Sequence, residues 1–224
     1  MNKRRLKLIL MCISIMILVA GCGKKFNAGA YLGALLDNSY KNDSKAFVSQ
    51  KIGTEEEAQT IYQQGLDAEL NGLFKDGDVP TEIKDAYSEV FGKIFAGVKY
   101  KVKDTKEQED GSYIVTVEYE RMNIYAPSVM DYQEKVEALK EEWKQAADSG
   151  AEAPDAQEQR NQQLMLLKDC FAQNYENVTY EEKAQTEIHI IIKDNQYQPS
   201  QEDIVKLERL LFDVDAMENL NKEQ

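Results

Sequence analysis

Amphipathic helices packed on a small antiparallel sheet of three to four strands, an α+β fold, are what the residue patterns of this chain point to. Apolar residues recur at helical spacing over most of its length, and the spacing switches to two at Gly97 and again at Thr186. Between those switches and beyond them lie turn residues and helix caps rather than long linkers. The residues left after the first 21 of 224 suffice for one core, or for two small ones.

The first 21 residues read as a segment to be removed. Lys3, Arg4, Arg5 and Lys7 form a basic stretch without acids, and Leu8 to Ala20 follows as a nearly unbroken apolar run of 13. A transmembrane helix needs about 20 apolar residues, and this run stops at Gly21 with Lys24 and Lys25 directly behind it. Arg4-Arg5 suggests the twin-arginine route, but Lys7 stands where that signal carries an apolar residue, so general secretion fits better. The junction Val19-Ala20-Gly21-Cys22 resembles the bacterial lipobox. That resemblance implies cleavage between Gly21 and Cys22, diacylglycerol on the Cys22 sulfur, and a protein held on the outer side of the cytoplasmic membrane. An ordinary signal peptide with an incidental cysteine is the alternative. Each buried CH₂ contributes about 0.8 kcal/mol, so two or three acyl chains hold a protein almost permanently.

Residues 22–27 are the lipidated start and a short tether. A helix is expected from Ala28, with Tyr31, Leu32, Leu35 and Leu36 on one side. Thr54 and Glu57 form a capping box ahead of Ala58, Ile61, Tyr62, Leu66, Leu70 and Leu73. Asp76 to Pro80 ends that helix, and Thr81 is expected to cap the next, with Ile83, Tyr87, Val90, Phe91, Ile94 and Phe95 inward.

Val98, Tyr100 and Val102 then alternate with Lys99, Lys101 and Lys103, giving a strand with one buried and one cationic face. Asp110-Gly111 is a turn, and Tyr113, Val115, Val117 and Tyr119 alternate with Thr116, Glu118 and Glu120 on the way back. Lysines of the first strand are expected to face glutamates of the second, for about 0.2 to 1 kcal/mol per pair. Pro127-Ser128 opens a helix bearing Val129, Tyr132, Val136, Leu139 and Trp143, and Ala146 to Ala156 reads as an exposed loop. A long helix follows with Leu164, Leu167, Phe171 and Tyr175 inward. Thr186, Ile188, Ile190 and Ile192 alternate with Glu187, His189 and Lys193 in a strand, preceded by a short one near Val178-Thr-Tyr180, and Pro199-Ser200 caps a last helix with Ile204, Leu207, Leu210 and Leu211. One domain over residues 28–213 with a polar tail at 214–224 is expected. The order of helices followed by a hairpin recurs in 28–122 and 128–194, which suggests two similar halves.

Several stretches resemble a family of lipoproteins from clostridia-type Gram-positive bacteria, defined only as a domain of unknown function. They are Phe26-Asn-Ala-Gly-Ala-Tyr31, Asp37-Asn-Ser-Tyr-Lys41, Val98-Lys-Tyr-Lys-Val102, Tyr113-Ile-Val-Thr-Val117 and Gln198-Pro-Ser-Gln-Glu-Asp203. The resemblance implies a lipid-anchored extracellular domain and carries no catalytic residues with it. Arg121 to Pro127 departs from the shorter connection the resemblance leads one to expect after the hairpin.

Composition narrows function further. With residues 1–21 removed, 23 basic residues stand against 40 acidic ones, a charge of −17 against −13 for the whole chain. Nucleic acid is not an expected partner, because phosphate binding draws on clustered Lys and Arg. An anionic membrane should repel the domain within about 8 Å, with Lys24 and Lys25 alone favouring it. Cys12 leaves with the signal and Cys22 is lipidated, so Cys170 has no disulfide partner and reads as a small buried residue. His189 is the only histidine, and a solvated strand position suits it better than catalysis. Asp76-Gly-Asp78 lacks the further oxygens of a calcium loop. The runs Glu55 to Glu57, Glu141-Glu142 and Glu181-Glu182 read as a cap and solvated faces.

No catalytic residue, metal site or cofactor is therefore expected. Tyr40, Tyr125, Tyr180 and Tyr197, near element ends, are the candidate ligand-binding residues. The expected role is a non-catalytic binding or interaction module of the cell envelope, taking an envelope protein, a glycan or a small molecule. A carboxylate-based hydrolase of envelope carbohydrate, or a structural assembly partner, are the alternatives.

Overall fold

The computed structural model describes residues 26–74 and 78–214. The signal segment, Gly21, Cys22, the Asp76-Gly77 turn and most of the polar tail lie outside these. In order come α1 (Ala28–Lys41), α2 (Lys45–Ser49), α3 (Glu55–Phe74), α4 (Thr81–Ala96), β1 (Lys99–Glu107), β2 (Tyr113–Glu120) and β3 (Met122–Asn123). They are followed by α5 (Tyr125–Asp148), α6 (Ala156–Glu176), β4 (Thr179–Tyr180), β5 (Ala184–Lys193), β6 (Gln196–Pro199) and α7 (Gln201–Leu211).

The main sheet is antiparallel, in the order β1-β2-β5-β6, and the fold is the expected α+β type. Val115, Val117, Ile188 and Ile190 are fully buried on its inner face, under α1 and α7. The outer face is polar, and there Lys99 meets Glu120 at 3.3 Å while Lys103 and Lys183 meet Glu118 at 3.4 and 3.5 Å. Such exposed pairs contribute little individually. Beneath the sheet, α3 and α4 flank α1, α6 packs on α4, and α5 on α6. The Tyr87 hydroxyl ties α4 to α6 by donating to the Leu164 carbonyl at 2.7 Å.

Local chemistry explains most boundaries. The capping box is formed, with the Glu57 N–H donating to Thr54 Oγ1 at 3.2 Å and the Thr54 N–H to Glu57 Oε2 at 2.7 Å. Gly111 takes φ +83° in the β1–β2 turn, a conformation that a side chain would strain. Ser200 caps α7 through its side chain. Cys170 is buried, and burial pushes its thiol pKa up.

Other expectations are corrected. Pro80, not Thr81, is the N-cap of α4; its carbonyl accepts from Ile83 and Lys84, and no side chain caps that end. The helix α5 starts at Tyr125, ahead of Pro127, because the Asp213 carboxylate accepts the N–H groups of Ile124, Tyr125 and Ala126 at 3.0, 2.8 and 2.7 Å. A carboxylate at a helix N-terminus satisfies groups that have no partner within the helix. We expect Asp213→Ala to cost about 2 kcal/mol in denaturant unfolding, since the anchor removed is ionic and triply bonded. The exposed loop is shorter than expected, because α5 runs to Asp148. Residues 28–122 and 128–194 do not repeat one pairing: β4 pairs with β3, whereas β5 pairs with β2 and β6. The partner strand β6 follows a turn in which Asp194 and Asn195 both have positive φ. Ile192 is 46 % exposed, because β5 runs past Ile190, the last residue paired with β2.

Candidate functional site

Two apolar stripes each carry one glutamate. In α3, Glu69 lies between Leu66 and Leu70, which are buried; in α7, Glu208 lies beside Leu207 and one turn from Ile204 and Leu211. Residues spaced by three and four share a helix face, so each acid is directed at the core with its neighbours. Glu208 is only 5 % exposed.

The aromatic residues around them come from other elements. Tyr125 opens α5 and its hydroxyl donates to Glu69 Oε1 at 3.2 Å. Tyr40, from the last turn of α1, is 2 % exposed, and its ring lies 6.5 Å from that of Phe212, which in turn is 5.9 Å from Tyr125. Phe212 follows α7 directly and is held by Arg121, whose Nε donates to its carbonyl at 3.2 Å. On the far side of Tyr40, the Tyr100 hydroxyl donates to Asp37 Oδ1 at 2.7 Å, and Lys41 sits 4.2 Å above the Tyr100 ring.

Both oxygens of Glu208 and the Tyr40 hydroxyl are buried without a hydrogen-bond partner among the described residues. Buried polar groups are paired in the great majority of cases, and an unpaired one costs about 1 to 3 kcal/mol. Burial, and next the charge of Glu69, hold Glu208 well above the ordinary carboxylate range. Glu69 is more accessible as a residue, but its carboxyl is enclosed; burial pushes it up to about 7, against the opposing pull of the Tyr125 hydrogen bond. The two carboxyls are coupled: burial raises both, and the charge of Glu69 raises Glu208 further. The cluster thus holds two carboxyls above the ordinary carboxylate range, a combination able to bind hydrogen-bond donors or to exchange protons.

The four candidate tyrosines do not form one site. Tyr40 and Tyr125 are buried at the acid cluster, not exposed as expected, because the helix ends that carry them are covered by α7 and Phe212. Tyr180 lies elsewhere, its ring under the Lys99 ammonium at 3.6 Å and its hydroxyl donating to the Gly97 carbonyl. Tyr197 is on β6, stacked on Phe26. His189 is exposed, and its Nδ1 lies 2.8 Å from Asp203 Oδ2. Ser200 is its neighbour across the strands, but the Ser200 hydroxyl accepts the Asp203 N–H at the α7 cap. Among the described residues no group of three His, Cys, Asp or Glu side chains could hold a metal ion, and no helix is long and apolar enough to cross a membrane.

The arrangement defines an α+β domain with a buried acid–tyrosine centre. No protein-family model matches the chain, nor does any curated protein or solved structure.

Proposed function

We propose that the chain is a lipid-anchored extracytoplasmic binding module whose ligand, a small donor-rich molecule such as an organic amine, enters the Glu69/Glu208 cluster. One observation carries this reading: among the described residues, two carboxyl oxygens and one phenol are buried with no hydrogen-bond partner. An amine supplies the missing donors and the opposite charge, and it displaces the Glu208 proton on binding. The lipobox at Val19 to Cys22 supports the placement outside the cytoplasmic membrane.

Calorimetry of the purified chain with amines from methylamine to spermidine, run in two buffers of different ionisation enthalpy, tests the site. Binding with proton release, abolished in Glu208→Gln, is the expected result; heats equal to dilution for every amine would remove this reading. Mass spectrometry tests the anchor: diacylglycerol on an N-terminal Cys22 is expected, and an unmodified cysteine would exclude it.

A second reading has a specific observation behind it. Burial holds the carboxyls of Glu69 and Glu208 above the ordinary range, which suits the general acid that a carboxylate hydrolase of envelope carbohydrate requires. Turnover of a glycan that disappears in Glu69→Gln would favour the hydrolase.

A further inference from the structure

Phe26, the first described residue, folds back onto the domain. Its ring stacks on Tyr197 of β6 at 3.9 Å with planes 4° apart, and lies 5.5 Å from the Tyr113 ring at the start of β2. The Tyr31 hydroxyl fixes this corner by donating to the Tyr197 carbonyl at 2.9 Å. Tyr197 is the cross-strand partner of Ile192, and Ile192 in turn borders Gly111 in the β1–β2 turn. Phe26, Tyr197 and Ile192 therefore make one continuous rim where the two hairpin turns of the sheet meet.

This rim is also where apolar surface is exposed. Four large apolar side chains are exposed among the described residues, and two of them are Ile191 and Ile192, at 39 % and 46 %. The two point to opposite sides of β5, so no single groove covers both, whereas a flat apolar boundary meeting the sheet end-on covers both at once. The chain from Cys22 to Phe26 reaches at most roughly 14 Å. A lipid on Cys22 thus brings the rim to the bilayer, with Lys24 and Lys25 between them and Lys193 at the strand end.

We propose that this rim rests in the interfacial layer of the membrane, with Ile191, Ile192, Phe26 and Tyr197 together at headgroup level. The inference rests on the lipid-anchored reading. Aromatic rings with one polar end favour that layer, and a second, protein-borne contact adds to the hold of the acyl chains. Asp194 in the turn just beyond Ile192, and Glu109 and Asp110 in the adjoining turn, limit the depth to the headgroup layer. Contact of this kind sets the sheet upright on the membrane.

The test uses the lipidated full chain in phosphatidylcholine vesicles brominated near the carbonyl end of the acyl chains. In the Trp143→Phe, Ile192→Trp variant the indole emission should fall by roughly half relative to unbrominated vesicles, as expected for a depth of about 5 to 10 Å. The unaltered chain, whose indole is Trp143 on α5, should show no change. In the unaltered chain the amides of residues 191–196 should also exchange several-fold more slowly on vesicles than in solution. Protein that floats with the vesicles but shows neither quenching nor slowed exchange overturns the proposal. Loss of rim exposure through a dimer that Ile192→Glu dissociates overturns it too, by assigning the rim to a second copy. Failure to float with any vesicle is a different result, and it removes the lipid anchor itself.

Discussion

Replacing Glu208 by methionine should make this protein more stable. The side chains are close in length, the neighbours Ile204, Leu207 and Leu211 are apolar, and both carboxyl oxygens are buried without partners. Exchanging a buried orphan acid for an apolar group of similar volume removes its desolvation penalty, about 2 kcal/mol at pH 8. For a domain of this size that raises Tm by about 5 °C. An ordinary surface or core position would respond in the opposite sense, since most substitutions destabilise. A stability gain accompanied by loss of ligand binding would mark Glu208 as a residue kept for function. A fall in Tm would instead mean that Glu208 has a structural partner.

Stability should also fall as pH rises through neutrality. The Glu69 carboxyl is pushed from its ordinary 4.5 to about 7 by burial. Between those values the folded state holds a proton that the unfolded state has lost, so folding is favoured by acid and opposed by base. The sign is therefore opposite to that of a carboxylate stabilised by an ion pair. The full penalty is absent below about pH 4.5, grows up to about pH 7 and is complete above it, at about 3 kcal/mol for Glu69 alone. Glu208, also held well above the ordinary carboxylate range, adds to the decline. Urea unfolding at pH 5 and pH 8 measures the effect, and Glu69→Gln should flatten most of it. A profile that already falls in the wild type towards pH 5 would contradict the account.

The fold was largely legible because its signals are local. Alternation in Tyr113 to Tyr119 and the Asp110-Gly111 turn define the central hairpin, and the Thr54/Glu57 box marks the start of α3 from four residues alone. Long-range partners were not legible. Asp213 fixes the start of α5 from nearly ninety residues away, and no pattern around Pro127 announces it. In the same way β4 has the composition of a hairpin partner for β5 but pairs with β3.

The acid cluster left a trace in the sequence that was hidden by abundance. Glu69 and Glu208 each occupy an apolar helical stripe, the position where an acid is out of place. Among 40 acidic residues, adjacent pairs such as Glu141-Glu142 draw attention first, yet Glu141 meets Lys144 and Gln145 of its own helix on an exposed face. Tyr40 and Tyr125 stand at element ends, which suggests exposure, but both are buried. What joins them is Phe212 and the packing of α7, which only the assembled fold supplies.

Carbon-13 NMR of the glutamate side-chain carboxyls, followed from pH 3 to pH 9, measures the protonation on which this account depends. Two resonances, assigned by Glu69→Gln and Glu208→Gln, should titrate above the ordinary carboxylate range, the Glu69 signal near pH 7. If both instead titrate at the ordinary carboxyl value of 4.5, the core holds no acid pair and the proposed site is not there.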